Sequence, residues 1–183
     1  IVELKSVALP IGRTSFDDLH MVFDLFDTDL DKMIRSATRY DESHVKWISY
    51  QVLQGLEHMH SAGVIHRDLK PGNILVSSNC DIRIADLGMS RAVVEGDSLE
   101  DRIGWSSYVA SRWYRAPELL IAGRRHNFSV APYSSAIDVW ALGCIVAELW
   151  TRQPAFAGRT PQAQLDLINR GLESDASFED AFG

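Results

Sequence analysis

Cysteine is nearly absent. Two residues, Cys80 and Cys144, stand 64 positions apart in a chain of 183, which is neither a disulfide framework nor a paired metal-ligand spacing. Isolated thiols of this kind read as small buried apolar residues of a reduced, intracellular protein. Positive charge is also short, with 18 Lys and Arg against 25 Asp and Glu and a net charge of −7. That balance lacks the basic footprint of a nucleic-acid binder and the polybasic patch of a membrane-surface protein. Long apolar runs are missing too. The most apolar stretch, residues 136–150, is broken by Asp138, Gly143 and Glu148 and falls short of the ~20 residues that a bilayer requires. The chain opens Ile1-Val2-Glu3-Leu4-Lys5, without the basic-then-apolar pattern of a secretory leader.

What remains is globular in character: 46% hydrophobic and 23% charged residues, with 12 Gly and 6 Pro. The length suits about one domain. Val7-Ala8-Leu9-Pro10 and Leu19-His20-Met21-Val22-Phe23 read as two short strands around a polar turn at residues 12–18. Leu30, Met33 and Ile34 follow at i, i+3, i+4, a short helix entered from Thr28-Asp29. A longer helix begins near Asp41, an apt N-cap, and carries Val45, Ile48, Val52, Leu56 and Met59 on one stripe, with Gly63 suited to the left-handed position after its end. Ile74-Leu75-Val76 and Ile82-Arg83-Ile84 flank the turn Ser77-Ser78-Asn79 as a hairpin. Residues 87–115 show no periodicity and residues 119–132 read as a polar connection. Residues 135–150 then form a buried helix. The sequence therefore predicts an α+β fold, mostly helical.

One segment concentrates the chemistry: His66-Arg67-Asp68-Leu69-Lys70-Pro71-Gly72-Asn73, between the long helix and the hairpin. Asp86-Leu87-Gly88 begins 18 positions after Asp68, and Ala116-Pro117-Glu118 ends 32 positions after Asp86. Asn73 and Asp86 are hard oxygen donors of the kind that magnesium prefers. Asp68 adds a carboxylate, a group able to accept a proton. Lys70, two residues on, adds a positive charge to the same loop. Each motif alone is common in turns and helix starts. Their ordered conjunction is not.

This set resembles the catalytic loop, magnesium loop and activation-segment end of the eukaryotic protein kinases. The Lys70 loop is similar to that of the serine/threonine branch. Residues 109–118, Val-Ala-Ser-Arg-Trp-Tyr-Arg-Ala-Pro-Glu, and residues 23–30, Phe-Asp-Leu-Phe-Asp-Thr-Asp-Leu, resemble the mitogen-activated and cyclin-dependent group. The resemblance implies a protein-kinase-like fold over residues 1–183: a small-lobe remnant at 1–23, a hinge at 24–29 and an incomplete large lobe at 30–183. It implies ATP and Mg2+ as cofactors, protein substrates and an upstream activating kinase as partners, and an intracellular setting in cytoplasm or nucleus. By the same match Asp68 and Lys70 are catalytic, and Asn73 and Asp86 hold the metal. Phe23 is the gatekeeper, the backbones of Asp24 and Phe26 meet adenine, Asp29 lies near the ribose, and Leu75 lies under the purine. Ser106 and Tyr108 are sites of regulatory phosphorylation with Arg67, and Ser111 and Arg112 shape the substrate site. Asp138 either complements the start of its helix or bonds the backbone of the His-Arg-Asp loop, and a near-buried carboxylate favours the second.

The departures are as informative. No Gly-x-Gly-x-x-Gly and no Val-Ala-x-Lys strand precede Phe23, so the phosphate lid and the lysine–glutamate pair that position ATP are not encoded in these residues. The family's last helices are also missing after Asn169. Leu87 replaces the commoner Phe as an apolar filler, and Ser106-Ser107-Tyr108 replaces Thr-x-Tyr. The reading is thus a proline-directed serine/threonine kinase represented by an incomplete, inactive fragment. The alternative is a kinase-fold binding module without catalysis, against which the retention of Asp68, Asn73 and Asp86 speaks.

Overall fold

The computed structural model describes residues 1–8, 19–37, 39–92, 112–122 and 134–173. Strands β1 (Leu4–Ala8) and β2 (His20–Phe23) pair antiparallel, and every residue of both is exposed. The first strand lies earlier than its apolar run predicts; Leu9, Pro10 and the turn at 12–18 fall outside the described residues. β3 (Thr28–Asp29) leads directly into α1 (Leu30–Arg35), whose N-cap Asp29 accepts from the Lys32 amide at 2.9 Å.

The long helix α2 (Glu42–Ser61) buries Val45, Ile48, Val52, Leu56 and Met59, the predicted stripe. Its start is a reciprocal capping box in which His44 takes the usual Glu place. Asp41 Oδ1 accepts from the Ser43 and His44 amides at 2.9 and 3.2 Å, and the Asp41 amide donates to His44 Nδ1. Gly63, at φ 70, turns the chain out of the helix into β4 (Val64–Ile65). A side chain there would be forced into the left-handed region.

β5 (Ile74–Val76) and β6 (Ile82–Ile84) form the predicted hairpin, with Ile74 opposite Ile84 and Val76 opposite Ile82, and β3 adds along β5. Ile74, Val76, Ile82 and Ile84 are buried against α2 and α1. The close approach of α2 to β6 is fixed by Gly55, where a Cβ would stand 2.7 Å from Ile84 Cδ1. β7 (Arg91–Ala92) pairs with β4, so part of the aperiodic stretch after Leu87 is ordered.

The expectation of a polar connection from residue 119 is corrected by α3 (Pro117–Ala122). Pro117 opens the helix at its first position, where a missing N–H costs nothing. Leu119 packs beside Ile137 and Leu120 beside Leu165 and Ile168, so both leucines are buried. α4 (Ala136–Thr151) is the central buried helix, and α5 (Pro161–Glu173), an element not predicted from the sequence, seats Leu165 and Ile168 in a third small core. Among the described residues no helix is long and apolar enough to cross a membrane.

Candidate active site

The loop from His66 to Asn73 joins β4 to β5 and is held from below. Arg67 has φ 71, a left-handed backbone that costs a non-glycine residue of order 1–3 kcal/mol. Asp138, 1% exposed on the first turn of α4, accepts the His66 amide at 2.8 Å and the Arg67 amide at 2.9 Å. His60 Nε2 also donates to it, at 2.8 Å. Hydrogen bonds to a carboxylate contribute roughly 1.5–3 kcal/mol each, so three of them outweigh the strain. Asp138 therefore braces the loop backbone, the second of the two readings of that residue.

His66 is fully buried. Its Nδ1 accepts the Asp68 amide at 3.3 Å and its Nε2 faces the Ala85 carbonyl at 3.0 Å, which assigns the neutral tautomer with the proton on Nε2. This imidazole ties the His66–Asn73 loop to the residue just before Asp86. The backbone repeats the link, with Ala85 N donating to Asn73 O at 2.8 Å. Asn73, buried in the turn Pro71–Asn73, donates Nδ2 to the Asp68 carbonyl at 2.9 Å, which makes its amide oxygen the end available to a cation. Lys70 Nζ pairs with Asp68 Oδ2 at 2.5 Å, with about a quarter of each side chain exposed. Asp68, Lys70 and Asn73 are thereby brought together, and Asp86 follows directly on Ala85, which is bonded to His66 and Asn73.

Asp86 is exposed and left-handed (φ 61, ψ 66) at the start of the turn Leu87–Met89. At Gly88 a Cβ would press to 3.3 Å from Asp86 Oδ1, so the glycine leaves the carboxylate room. Among the described residues no group of three His, Cys, Asp or Glu side chains forms a metal cage. One carboxylate plus one amide oxygen suits magnesium, which keeps waters and takes phosphate oxygens for the rest of its shell. Leu87 does not fill an apolar slot: it is 42% exposed, because the turn carries it to the outside.

The remaining predicted residues are placed as follows. Phe23 ends β2 and is exposed, Asp24 forms an ion pair with Lys5 at 3.1 Å, and Phe26 is half-buried. Asp29 lies opposite Leu75 across the β3–β5 pair, which brings the two near the loop. Both Asp29 oxygens already accept within α1, from the Lys32 amide and, at 3.0 Å, from its ammonium. Arg67 Nη1 reaches the Met89 carbonyl at 3.3 Å. Arg112, in the turn Arg112–Tyr114, donates Nη1 to the Arg159 carbonyl at 2.9 Å. Ser106, Tyr108 and Ser111 lie outside the described residues.

Sequence reasoning missed one buried pair. Tyr114 OH donates to Glu148 Oε2 at 2.6 Å, inside the core. Burial raises the Glu148 carboxyl above its usual range, with the Tyr114 hydroxyl opposing that rise. Burial and the Glu148 charge push the Tyr114 phenol far up and the Cys144 thiol up to about 12. The only signal in the sequence was a glutamate interrupting an apolar helix.

Comparison with known proteins matches residues 1–179 to the family described as Protein kinase domain. Mitogen-activated protein kinase 5 of Arabidopsis thaliana is 43% identical over 98% of the chain, and mitogen-activated protein kinase 6 of Oryza sativa subsp. japonica is 43% identical over 97%. Mitogen-activated protein kinase 7 of Arabidopsis thaliana is 42% identical over 98%. The chain spans 45%, 44% and 47% of the lengths of these three relatives.

Proposed function

The chain belongs to the protein kinase family, and from that premise we propose that it transfers the γ-phosphate of ATP to serine and threonine hydroxyls of proteins, as part of a kinase of mitogen-activated type. Protein kinases as a family use ATP and magnesium. The observation that supports the reading is the set of bonds within the loop, Lys70 on Asp68 and Asn73 on the Asp68 carbonyl, together with the backbone bond from Ala85, the residue before Asp86, to Asn73.

In this reading Asp68 accepts the proton of the substrate hydroxyl and aligns its oxygen. Lys70 leaves its pairing with Asp68 to place its ammonium on the group in transfer. Asn73 and Asp86 hold Mg2+, whose charge offsets that of the phosphates. Residues 1–23, 24–29 and 30–183 are a small-lobe remnant, a hinge and an incomplete large lobe. Phe23 stands as gatekeeper, the backbones of Asp24 and Phe26 pair with adenine, Asp29 meets the ribose and Leu75 the purine face. An upstream kinase modifies Ser106 and Tyr108, with Arg67 as the receiving cation. Ser111 and Arg112 shape a site where the residue after the acceptor needs no amide donor, which suits proline. The setting is intracellular, in cytoplasm or nucleus. Asp68→Asn in the full-length protein keeps the shape and removes the base, so phosphoryl transfer falls by about 10²–10⁴. Unchanged transfer would overturn the assignment.

A further inference from the structure

Gln164 is fully buried and belongs to no motif of the active-site loop. Its Oε1 accepts the Gly158 amide at 2.7 Å and its Nε2 donates to the Trp113 carbonyl at 3.2 Å. One side chain therefore joins three separate pieces of chain: α5, the loop before it, and the turn Arg112–Tyr114. That loop has no slack. A Cβ on Gly158 would stand 2.4 Å from the Gln164 backbone and 2.7 Å from Oε1, so the loop backbone is pressed onto the start of α5 with Gln164 between them. The next residue, Arg159, offers the carbonyl to which Arg112 donates. The turn is thus fixed at both ends of one short circuit, Trp113 through the Gln164 amide and Arg112 through the Arg159 carbonyl, which the Gly158 contact orients. A buried amide with both ends satisfied is costly to disturb, because removing it leaves the Gly158 N–H and the Trp113 carbonyl without this partner.

We propose that Gln164 is a positioning residue for the peptide substrate: it sets the turn that carries Arg112, and so the preference at the position after the acceptor hydroxyl. The inference rests on the kinase reading above and extends it to a residue 52 positions beyond Arg112. Gln164 touches neither Asp68 nor the metal ligands, so its effect falls on peptide binding rather than on the chemical step.

The test compares wild type, Gln164→Met and Gln164→Glu in the full-length protein, using a Ser-Pro peptide and its Ser-Ala counterpart. Methionine keeps the length and removes both hydrogen bonds. Glutamate keeps the acceptor for the Gly158 amide and loses the donor to Trp113. With Gln164→Met the peptide KM rises about tenfold and the Ser-Pro over Ser-Ala ratio falls, while kcat and the KM for ATP stay within about twofold. Gln164→Glu lies between the two. An unchanged peptide KM in a folded Gln164→Met protein overturns the inference alone. Equal losses in kcat and both KM values overturn it as well, since they mark a merely structural residue. A wild-type protein that phosphorylates neither peptide overturns the kinase reading, and this inference with it.

Discussion

Tyr114→Phe isolates the buried hydroxyl–carboxylate pair in the core. The substitution deletes one oxygen and leaves the ring, so packing is held nearly constant. The contact is 2.6 Å long with both residues buried, and a hydrogen bond to a charged group contributes roughly 1.5–3 kcal/mol. The loss depends on pH in a direction that the structure fixes. The folded Glu148 carboxyl titrates above its ordinary 4.5. Between 4.5 and its folded value the native state binds more protons than the unfolded state, so stability from this group falls as pH rises through that window. Without the Tyr114 hydroxyl the folded value climbs further, at about 1.36 kcal/mol for each additional unit. The deficit of Tyr114→Phe therefore grows as pH rises above 4.5 and the buried carboxyl gives up its proton, towards the full ~1.5–3 kcal/mol. Glu148→Gln removes the charge and retains an acceptor for the hydroxyl, so its cost shrinks as pH rises, because wild type loses stability from Glu148 over that range and the neutral amide does not. Urea unfolding of the full-length protein across a pH series above 4.5 reads these differences as midpoint shifts. A Tyr114→Phe deficit that does not grow anywhere as pH rises above 4.5 refutes the reasoning.

Asp86→Asn removes one of the two proposed metal donors' charge, so the magnesium concentration needed for half-maximal transfer rises; a titration curve that does not move contradicts the assignment of Asp86. A peptide array on the full-length protein shows proline enriched after the acceptor, because Arg112 is held back by the Arg159 carbonyl; a flat profile at that position removes the proline-directed reading. The 183-residue polypeptide by itself binds Mg–ATP weakly, since its sequence supplies no glycine lid and no Val-Ala-x-Lys lysine. Two or three lost charge-assisted contacts at roughly 1.5–3 kcal/mol each weaken binding by at least about a hundredfold at 1.4 kcal/mol per decade. Calorimetry giving a low-micromolar Kd for the monomeric polypeptide overturns that estimate.

Features specified by neighbouring residues were legible in the sequence. The cap at Asp41, the apolar stripe of α2, the left-handed Gly63 and the hairpin from Ile74 to Ile84 depend on local spacing alone. The loop from His66 to Asn73 was legible because phosphoryl transfer restricts which side chains serve. Asp138 could be read because a carboxylate amid apolar neighbours demands donors. Contacts across long separations were not legible. Nothing near Tyr114 indicates Glu148, 34 positions on, and nothing near Gln164 indicates Trp113, 51 positions back. α3 escaped because a six-residue helix is too short to show periodicity, and its leucines gain their meaning only from Ile137, Leu165 and Ile168.

The bracing of the Arg67 backbone by Asp138 also orders events in time. The two residues are 71 positions apart, and His60 reaches the same carboxylate across 78. As the chain leaves the ribosome, α2 and the hairpin have their local partners long before α4 exists. The loop bearing Asp68 has to wait for its carboxylate brace, since the bonds from the His66 and Arg67 amides to Asp138 exist only once its helix arrives. Helix and hairpin form early from near contacts, whereas this loop closes only on a distant one. A nascent chain ending before residue 138 thus carries every residue of the proposed active site without the carboxylate that braces its loop.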